Sequence, residues 1–188
     1  MYIIGINAFH GDSSACILKD GRLIAAAEEE RFRRIKHWAG FPSEAIKWCL
    51  SEAGIGLENV EHIALNQDVK ANLLRKIIFT FKNRPNLKML LDRLKNKRKR
   101  LNINDQILKV FSNSKFNGSI HAVEHHAAHL SSAFHTSNFN EAVVVSVDGF
   151  GDFASTAFGI GKGTKINLAD RVYFPHSLGI FYQALTQY

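Results

Sequence analysis

The chain has 188 residues, of which 46% are hydrophobic and 22% are charged. That composition is typical of a globular domain and excludes a largely disordered chain. Its apolar runs, such as residues 142–145, are far shorter than the ~20 residues of a transmembrane helix. The N-terminal sequence lacks a signal-peptide pattern, and two cysteines are too few for a disulfide scaffold. We therefore expect a cytoplasmic protein without a membrane-spanning segment and without a membrane as a partner.

The basic charge of the chain is concentrated in one segment. Overall, 24 basic and 17 acidic residues give a net charge of +7. Residues 70–100 contain twelve basic residues and one acidic residue, Asp92, so this segment carries +11 and the remainder carries −4. The basicity therefore indicates an inserted segment rather than a uniformly basic protein.

Strands and helices alternate along the chain, as their hydrophobic periodicities indicate. The Asp20-Gly21 pair is a strong signal for a tight hairpin turn between the second and third strands. The alternation predicts an α/β fold. The predicted strands span residues 2–6, 14–18, 23–27, 60–66, 120–123 and 142–147, with two more around Ala157 and Ile166. The predicted helices span residues 43–54, 125–134 and a stretch from about Ser177, with basic helices at 70–111 broken at Pro85 and near Asn102.

An internal repeat is predicted at an offset of 141 residues. It aligns Asn7 with Asp148 and Ser14 with Ser155, and both units then read as a strand, a polar loop, a strand, a tight turn and a strand. The repeat predicts two related halves, of which the second begins near residue 140. Chance similarity between two β-meanders is the alternative at this stage.

The sequence Glu124-His-His-Ala-Ala-His129 contains the strongest candidate for a site. His125 and His129 are four residues apart, so on a helix they share one face and could chelate a divalent metal. His126 is rotated by roughly 100° and is not expected to join them. A histidine-rich surface turn is the alternative interpretation.

A possible third ligand follows the apolar strand 143–147. Asp148 ends this strand, and Gly149 and Gly151 follow it. A carboxylate oxygen could complete a metal site, while the two glycines could allow a close approach of phosphate oxygens to the backbone. The alternative is that Asp148 only opens a turn, for which Asp-Gly is common.

The loop after the first strand is a second candidate site. His10 has a side chain suited to general acid–base chemistry near neutral pH, and Asp12 and Ser13 are candidates for contacts with a bound nucleotide or phosphate. The basic residues at 31–36 could attract an anionic substrate. Ordinary turn residues and a solvated basic turn are the alternatives.

Five segments resemble the O-carbamoyltransferases of nodulation and antibiotic biosynthesis, and they follow that family's order from one end of the chain to the other. They are GINAFHGDSSA (5–15), EEERFRRIKH (28–37), EHHAAHLSSA (124–133), SVDGFGD (146–152) and FPHSLGIFYQ (174–183). The resemblance implies an α/β fold of the actin-like ATPase and sugar-kinase type, built from two RNase-H-like halves. We expect residues 1–138 to form the first half, with a basic helical insert at about 70–112, and residues 139–188 to begin the second.

The resemblance also implies an activity. Proteins of that family make a carbamoyl-adenylate from carbamoyl phosphate and ATP, and then transfer the carbamoyl group to a hydroxyl of a small molecule such as a sugar or an antibiotic. In that family, a separate C-terminal domain carries out the adenylation. We therefore expect ATP, carbamoyl phosphate and an alcohol acceptor as ligands.

Site residues follow from the same resemblance. His125, His129 and Asp148 fall on metal ligands, with iron as the usual metal and zinc or manganese as alternatives. His10 falls near the transferred group, and Lys36 is the best match to a basic residue there. The fourth ligand would be a carboxylate beyond residue 188, so we expect the chain to be inactive without the second half and the adenylating domain of the same polypeptide.

Two other functions remain open from the sequence. A transferase that makes threonylcarbamoyl-adenosine in tRNA would suit the basic segment, but its glycine loop has a Ser-Gly-Gly-His pattern rather than Asp-Gly-Phe-Gly-Asp. A non-catalytic nucleic-acid-binding module could use residues 70–100. That segment has few aromatic residues for base stacking, Phe79 and Phe81, so a solvated helical face is favoured over nucleic-acid binding.

Overall fold

The computed structural model describes residues 1–83, 103–112 and 115–187. The strands are β1 (Tyr2–Asn7), β2 (Ser14–Lys19), β3 (Arg22–Glu28), β4 (His62–Leu65), β5 (Ser119–Ala122), β6 (Glu141–Gly151), β7 (Ala154–Lys162) and β8 (Lys165–Tyr173). The helices are α1 (Glu30–Arg33), α2 (Ser43–Ala53), α3 (Leu73–Asn83), α4 (Ile103–Val110), α5 (His125–Phe134) and α6 (Leu178–Leu185). The predicted helix breaks at Pro85 and Asn102 lie outside the described residues.

The described residues form two compact units. The first contains residues 1–66, 103–112 and 115–122, and the second contains residues 67–83 and 123–187. None of the described helices has the length and apolar character that would let it cross a bilayer. The assignment of residues 1–138 and 139–188 to two halves stays a prediction.

The first unit is built on a mixed five-stranded sheet in the order β3-β2-β1-β4-β5. β1, β2 and β3 are antiparallel, whereas β1, β4 and β5 are parallel. This order is that of an RNase-H-like unit, so the predicted α/β fold is confirmed. The hairpin predicted at Asp20-Gly21 is also present, with positive φ angles of 50° and 79° that suit a tight turn.

One face of this sheet packs against α2. Ile4, Ile17 and Ile63 on the sheet and Ala45 and Ile46 on the helix are buried in a common core. Full burial of such aliphatic side chains contributes roughly 1.5–3 kcal/mol each. The helix therefore lies on the sheet because its apolar stripe meets the apolar face of the strands.

A buried carboxylate fixes the start of α2. Glu29 is fully buried, and its side-chain oxygens accept hydrogen bonds from the backbone N–H groups of Glu44 (3.2 Å) and Ala45 (2.8 Å). Arg33 donates from Nε to the same carboxylate at 2.6 Å. The N-terminal N–H groups of a helix have no partners within the helix, and the Glu29 carboxylate bonds two of them. The guanidinium of Arg33 neutralises the buried charge of this carboxylate.

The second unit contains an antiparallel sheet in the order β6-β7-β8, with α5 packed on one face. Leu130 and Phe134 of the helix are buried against Val144 and Ala157 of the sheet. A side chain at Gly161 would lie 2.6 Å from the Phe134 ring. The absence of a Cβ at Gly161 therefore allows the helix to approach β7.

The first hairpins of the two units have the same register at an offset of 141 residues. Ile6 pairs with Ala15 in β1–β2, and Val147 pairs with Thr156 in β6–β7. The pairs that residues 2–5 of β1 form with β2 likewise have counterparts 141 residues later, between β6 and β7. This shared register supports the predicted repeat over a chance similarity of two meanders, because strand pairing alone does not fix a common register.

Candidate metal centre

The histidine pair lies at the start of α5, where the local sequence favours a helix. The side chain of Glu124, the N-cap residue, accepts a hydrogen bond from the backbone N–H of Ala127 at 2.9 Å. Arg171 lies 3.3 Å from the same carboxylate. The helix thus begins at His125, as predicted, and places His125 and His129 on one face.

His125, His129 and Asp148 converge beside β6, which does not end at Asp148, as the sequence suggested, but continues to Gly151. Nε2 of His125 lies 2.7 Å from Oδ2 of Asp148, and Nε2 of His129 lies 3.0 Å from Nε2 of His125. The distance from His129 Nε2 to Asp148 Oδ2 is 3.7 Å. Among the described residues, this is the group of three whose ligand atoms all lie within 4.8 Å of one another.

The donor atoms of these three side chains fit a bound cation. A ring nitrogen carries either one proton or one lone pair, so Nε2 of His125 cannot donate to both Asp148 and His129. A cation between the three atoms would be bound by all of them. Metal–ligand distances of about 2.1 Å imply separations of about 3.0 Å between ligands at right angles. The observed separations of 2.7, 3.0 and 3.7 Å are close to that value.

The electrostatic environments of Asp148 and His129 favour the forms of these two groups that bind metals. Burial raises the pKa of the Asp148 carboxyl, but hydrogen bonds from His125 and the N–H of Gly149 outweigh it, so its pKa lies below the ordinary value. Burial, followed by the charge of His125, lowers the pKa of His129. A carboxylate and a neutral imidazole are therefore favoured near neutral pH, and these forms are the ones that coordinate cations.

His126 does not take part in this cluster. Its side chain is fully buried, and its Nδ1 lies 2.9 Å from Oγ of Ser146. The prediction that His126 points away from the His125–His129 face is confirmed. The histidines of this segment therefore lie in two environments. His126 forms a hydrogen bond in the core, whereas His125 and His129 belong to the polar cluster with Asp148.

The glycines after Asp148 have local structural roles. The backbone N–H of Gly149 donates to Oδ1 of Asp148 at 2.6 Å, which orients the carboxylate. A Cβ at Gly151 would overlap the His125 ring and lie 2.5 Å from its Nε2. Gly151 thus leaves the space that the His125 ring occupies. The predicted contacts of Gly149 and Gly151 with a nucleotide or phosphate stay predictions.

Asp152 is a supporting residue that the sequence analysis did not single out. Its Oδ2 accepts hydrogen bonds from the backbone N–H groups of His125 (2.9 Å) and Asp68 (2.8 Å). Its backbone carbonyl accepts a hydrogen bond from Asn72 at 2.9 Å. The last residue of the SVDGFGD segment therefore fixes both the first turn of α5 and the segment that leads into α3.

Ser177 is a second supporting residue that the sequence did not reveal. Its Oγ lies 3.1 Å from the carbonyl oxygen of Asp148 and 2.8 Å from that of Gly149, and it accepts a hydrogen bond from the backbone N–H of Ile180. It is the N-cap residue of α6. Ser177 therefore joins the start of that helix to the backbone of β6 at Asp148 and Gly149.

The other predicted site residues lie in the first unit. His10 is half-buried in the loop after β1, whereas Lys36 is exposed. Ser13 is fully buried, and its hydroxyl lies 2.9 Å from the carbonyl oxygens of both His10 and Gly40. These bonds join the loop at 9–13 to the loop at 37–41, so Ser13 shapes the loop that carries His10.

Asp12 forms a side-chain contact with His37 that the sequence did not predict. Its Oδ1 lies 2.8 Å from Nδ1 of His37, and both backbones have positive φ angles, 62° and 53°. Both side chains are largely exposed. Even a fully charged exposed pair is typically worth less than about 1 kcal/mol, whereas a left-handed backbone costs roughly 1–2 kcal/mol at each non-glycine residue. The pair therefore does not account for the stability of these loops.

Comparisons with known proteins extend over nearly the whole chain. Residues 2–188 match the protein family described as Carbamoyltransferase N-terminus. The uncharacterized protein sll1178 of Synechocystis sp. is 35% identical over 194 residues, which cover 100% of this chain and 32% of that protein. The nodulation protein NolNO of Sinorhizobium fredii is 31% identical over 185 residues, which cover 97% of this chain and 26% of that protein. The chain thus spans a third or less of the length of these relatives.

Two solved structures are matched by this chain at low sequence identity. YeaZ from Pseudomonas aeruginosa superposes with a TM-score of 0.47 at 13% identity, covering 93% of this chain and 69% of that chain. The ROK hexokinase from Thermus thermophilus has a TM-score of 0.41 at 13% identity, covering 91% of this chain and 49% of that chain. The fold class itself rests on the strand order within this chain.

Proposed function

The chain belongs to the carbamoyltransferase N-terminus family, and from that premise we propose that its protein transfers a carbamoyl group to a hydroxyl of a small molecule. The proposed donor is a carbamoyl-adenylate made from carbamoyl phosphate and ATP. In the transfer, the hydroxyl oxygen forms a bond to the carbamoyl carbon, and the bond from that carbon to the phosphate oxygen breaks. AMP leaves, and the hydroxyl proton passes to a base.

The convergence of His125, His129 and Asp148 is the observation that carries this proposal. Two imidazoles and one carboxylate form a ligand set that is typical of non-haem iron sites with open positions, so iron is the proposed metal, and zinc and manganese are alternatives. When bound, the metal would supply a Lewis acid that polarises a carbonyl or neutralises a phosphate leaving group. A site with open positions suits a step in which a phosphate is released.

The residues of the chain have separate proposed tasks. Asp148 and the two histidines hold the cation, and Gly149 and Asp152 orient them through the backbone hydrogen bonds described above. In the first unit, His10 is the proposed base that accepts the hydroxyl proton, since an imidazole changes charge near neutral pH. Lys36 is the proposed cation for the anionic donor, and its exposure leaves the ammonium group accessible.

The test compares His129→Ala with His135→Ala in the full-length protein. Both histidines are exposed, and His135 is the C-cap residue of the same helix, so the second variant controls for loss of an imidazole from α5. We expect iron or zinc per chain to fall in His129→Ala and to stay at the wild-type level in His135→Ala. Equal metal content in the two variants would remove His129 from the ligand set.

The activity itself is tested with carbamoyl phosphate, ATP and a panel of alcohols that includes sugars. We expect AMP and pyrophosphate to form and a carbamate ester to appear with at least one alcohol. If His129→Ala still forms AMP and pyrophosphate but no longer forms the ester, the cluster of His125, His129 and Asp148 acts in the transfer step. If wild-type protein releases no AMP or pyrophosphate, the proposed carbamoyl-adenylate route fails.

A further inference from the structure

Helix α3 exposes an unusually apolar face. Leu74 is 70% exposed and Phe81 is 78% exposed, and three more large apolar residues lie beside them with at least 43% exposure. At 100° per residue, the five side chains fall within an arc of roughly 140°. We define the α3 apolar face by these residues, which are Leu73, Leu74, Ile77, Ile78 and Phe81.

The opposite side of α3 is already held by the second unit. The Phe79 ring packs edge-on against Phe153 and Phe174, with ring centroids 5.7 and 4.9 Å apart. The guanidinium of Arg75 lies 4.9 Å from the centre of the Tyr173 ring. These contacts fix the rotation of the helix about its axis, so the α3 apolar face points away from the unit's own aromatic cluster.

An apolar face of this size indicates a partner. Single exposed apolar residues are normal on protein surfaces, but contiguous exposed patches mark interaction sites. Here five apolar residues of one eleven-residue helix are exposed together. The solvated helical face that the sequence favoured for the basic segment does not describe α3, because its outward side is apolar.

The charge around this helix selects the kind of partner. Lys70 precedes α3 and Lys82 lies in its last turn, and both are exposed. In the sequence, these lysines belong to residues 70–100, where twelve basic residues accompany one acidic residue. The partner should therefore present an apolar layer together with a negatively charged surface.

An anionic membrane surface meets both conditions. A helix with leucine, isoleucine and phenylalanine on one side and lysine or arginine beside them lies in the plane of the bilayer interface, with its apolar face among the acyl chains. Juxtaposed basic residues are attracted to anionic headgroups. A single-stranded nucleic acid would instead favour aromatic stacking platforms, and four of the five residues of the α3 apolar face are aliphatic.

We propose that the α3 apolar face docks the protein on an anionic membrane surface, with the exposed lysines at both ends of the helix among the lipid headgroups. This is peripheral binding by one helix, in keeping with the finding that no described helix is suited to cross a bilayer. The proposal is independent of the chemistry at the candidate metal centre.

The test is co-sedimentation of the full-length protein with vesicles of phosphatidylcholine containing about 30% phosphatidylglycerol, a composition that supplies anionic lipid. We expect the double variant Leu74→Gln/Phe81→Gln to need at least tenfold more lipid for half-maximal binding. Leu23→Gln is the matched control, because Leu23 is 63% exposed on β3, and it should bind like wild type. Wild-type binding by the double variant would overturn the proposal.

A second variant tests the electrostatic part. Lys70→Glu/Lys82→Glu leaves the α3 apolar face intact, and we expect this variant to bind the anionic vesicles more weakly than wild type at low salt. Raising the salt to about 0.5 M should weaken the binding of the wild type in the same way. Equal binding to pure phosphatidylcholine vesicles would contradict an anionic surface. Absence of vesicle binding by the wild type would overturn the proposal. If tRNA retention is then observed and Leu74→Gln/Phe81→Gln abolishes it, the face binds RNA. If dimer formation is observed and the same variant abolishes it, the face binds a second copy.

Discussion

Replacing Gly151 by alanine is the smallest change that should disrupt the candidate metal centre. A Cβ at this position would overlap the His125 ring and lie 2.5 Å from Nε2, the atom that contacts Asp148. Ordinary contacts of a Cβ begin near 3.4 Å, so Cδ2, the ring atom nearest to the new Cβ, would have to move by roughly 1.5 Å. The 2.7 Å contact between His125 and Asp148 cannot survive that displacement unchanged.

Gly149→Ala is the matched control for this substitution. A Cβ at Gly149 would have Cδ1 of Ile180 as its nearest neighbour, at 3.6 Å, and neither glycine has a positive φ angle. The two variants therefore differ in the space available and not in backbone conformation. We expect Gly151→Ala to cost about 1–3 kcal/mol in stability through overpacking, and Gly149→Ala to cost much less.

The assay measures metal binding and unfolding in parallel. Titration with Zn²⁺ or Fe²⁺, followed by metal analysis, should show at least a tenfold loss of metal affinity in Gly151→Ala. Losses of this size are typical when residues that orient a metal ligand are changed. Thermal unfolding reports the cost to stability separately. If both variants bind metal with wild-type affinity, the His125 ring is not positioned by the space at Gly151, and this reasoning is refuted.

Three further predictions concern other described residues. Asp152→Ala should lower metal affinity by about tenfold to a hundredfold in the same titration, because it removes the carboxylate that fixes the first turn of α5. Glu29→Gln should lower the free energy of unfolding by about 2–3 kcal/mol, because the Glu29 carboxylate is fully buried, whereas Glu52→Gln on the exposed surface should change it little in denaturant titrations. Burial raises the pKa of the Cys49 thiol to about 11 and also raises the pKa of Cys16. At pH 8 both thiols should therefore react with a thiol reagent much more slowly in the native protein than in guanidinium. Equal reaction rates under the two conditions would contradict the burial of the thiols.

Local signals in the sequence predicted the helix that carries the histidine pair. Glu124 is an N-cap residue whose side chain accepts a hydrogen bond from the first turn, and the apolar residues Leu130 and Phe134 follow at the spacing of one helical face. These contacts act within one or two turns, and the helix predicted at 125–134 has the bounds that the structure shows. The spacing of His125 and His129 on that helix followed directly.

Long-range contacts could not be predicted in this way. The hydrogen bonds from Asp68 and His125 to Asp152 span 84 and 27 residues, and the pair of Asp12 with His37 spans 25 residues. No local periodicity encodes such contacts, because they depend on how loops return to one another after the sheet forms. Asp12 was visible as a turn residue, but its partner His37 was not.

The repeated hairpin shows how one position of the repeat serves two purposes. Asn7 and Asp148 occupy equivalent positions at the offset of 141. The Asn7 amide donates to the backbone carbonyl of Asp12 at 3.0 Å, and its oxygen accepts from the side chain of Asn66 at 3.1 Å. An ionised carboxylate could not donate that first bond. At Asp148 the neighbours are instead the N–H of Gly149 and the imidazole of His125, so an acceptor-only group is suitable, and the same position of the repeat can become a ligand for a cation.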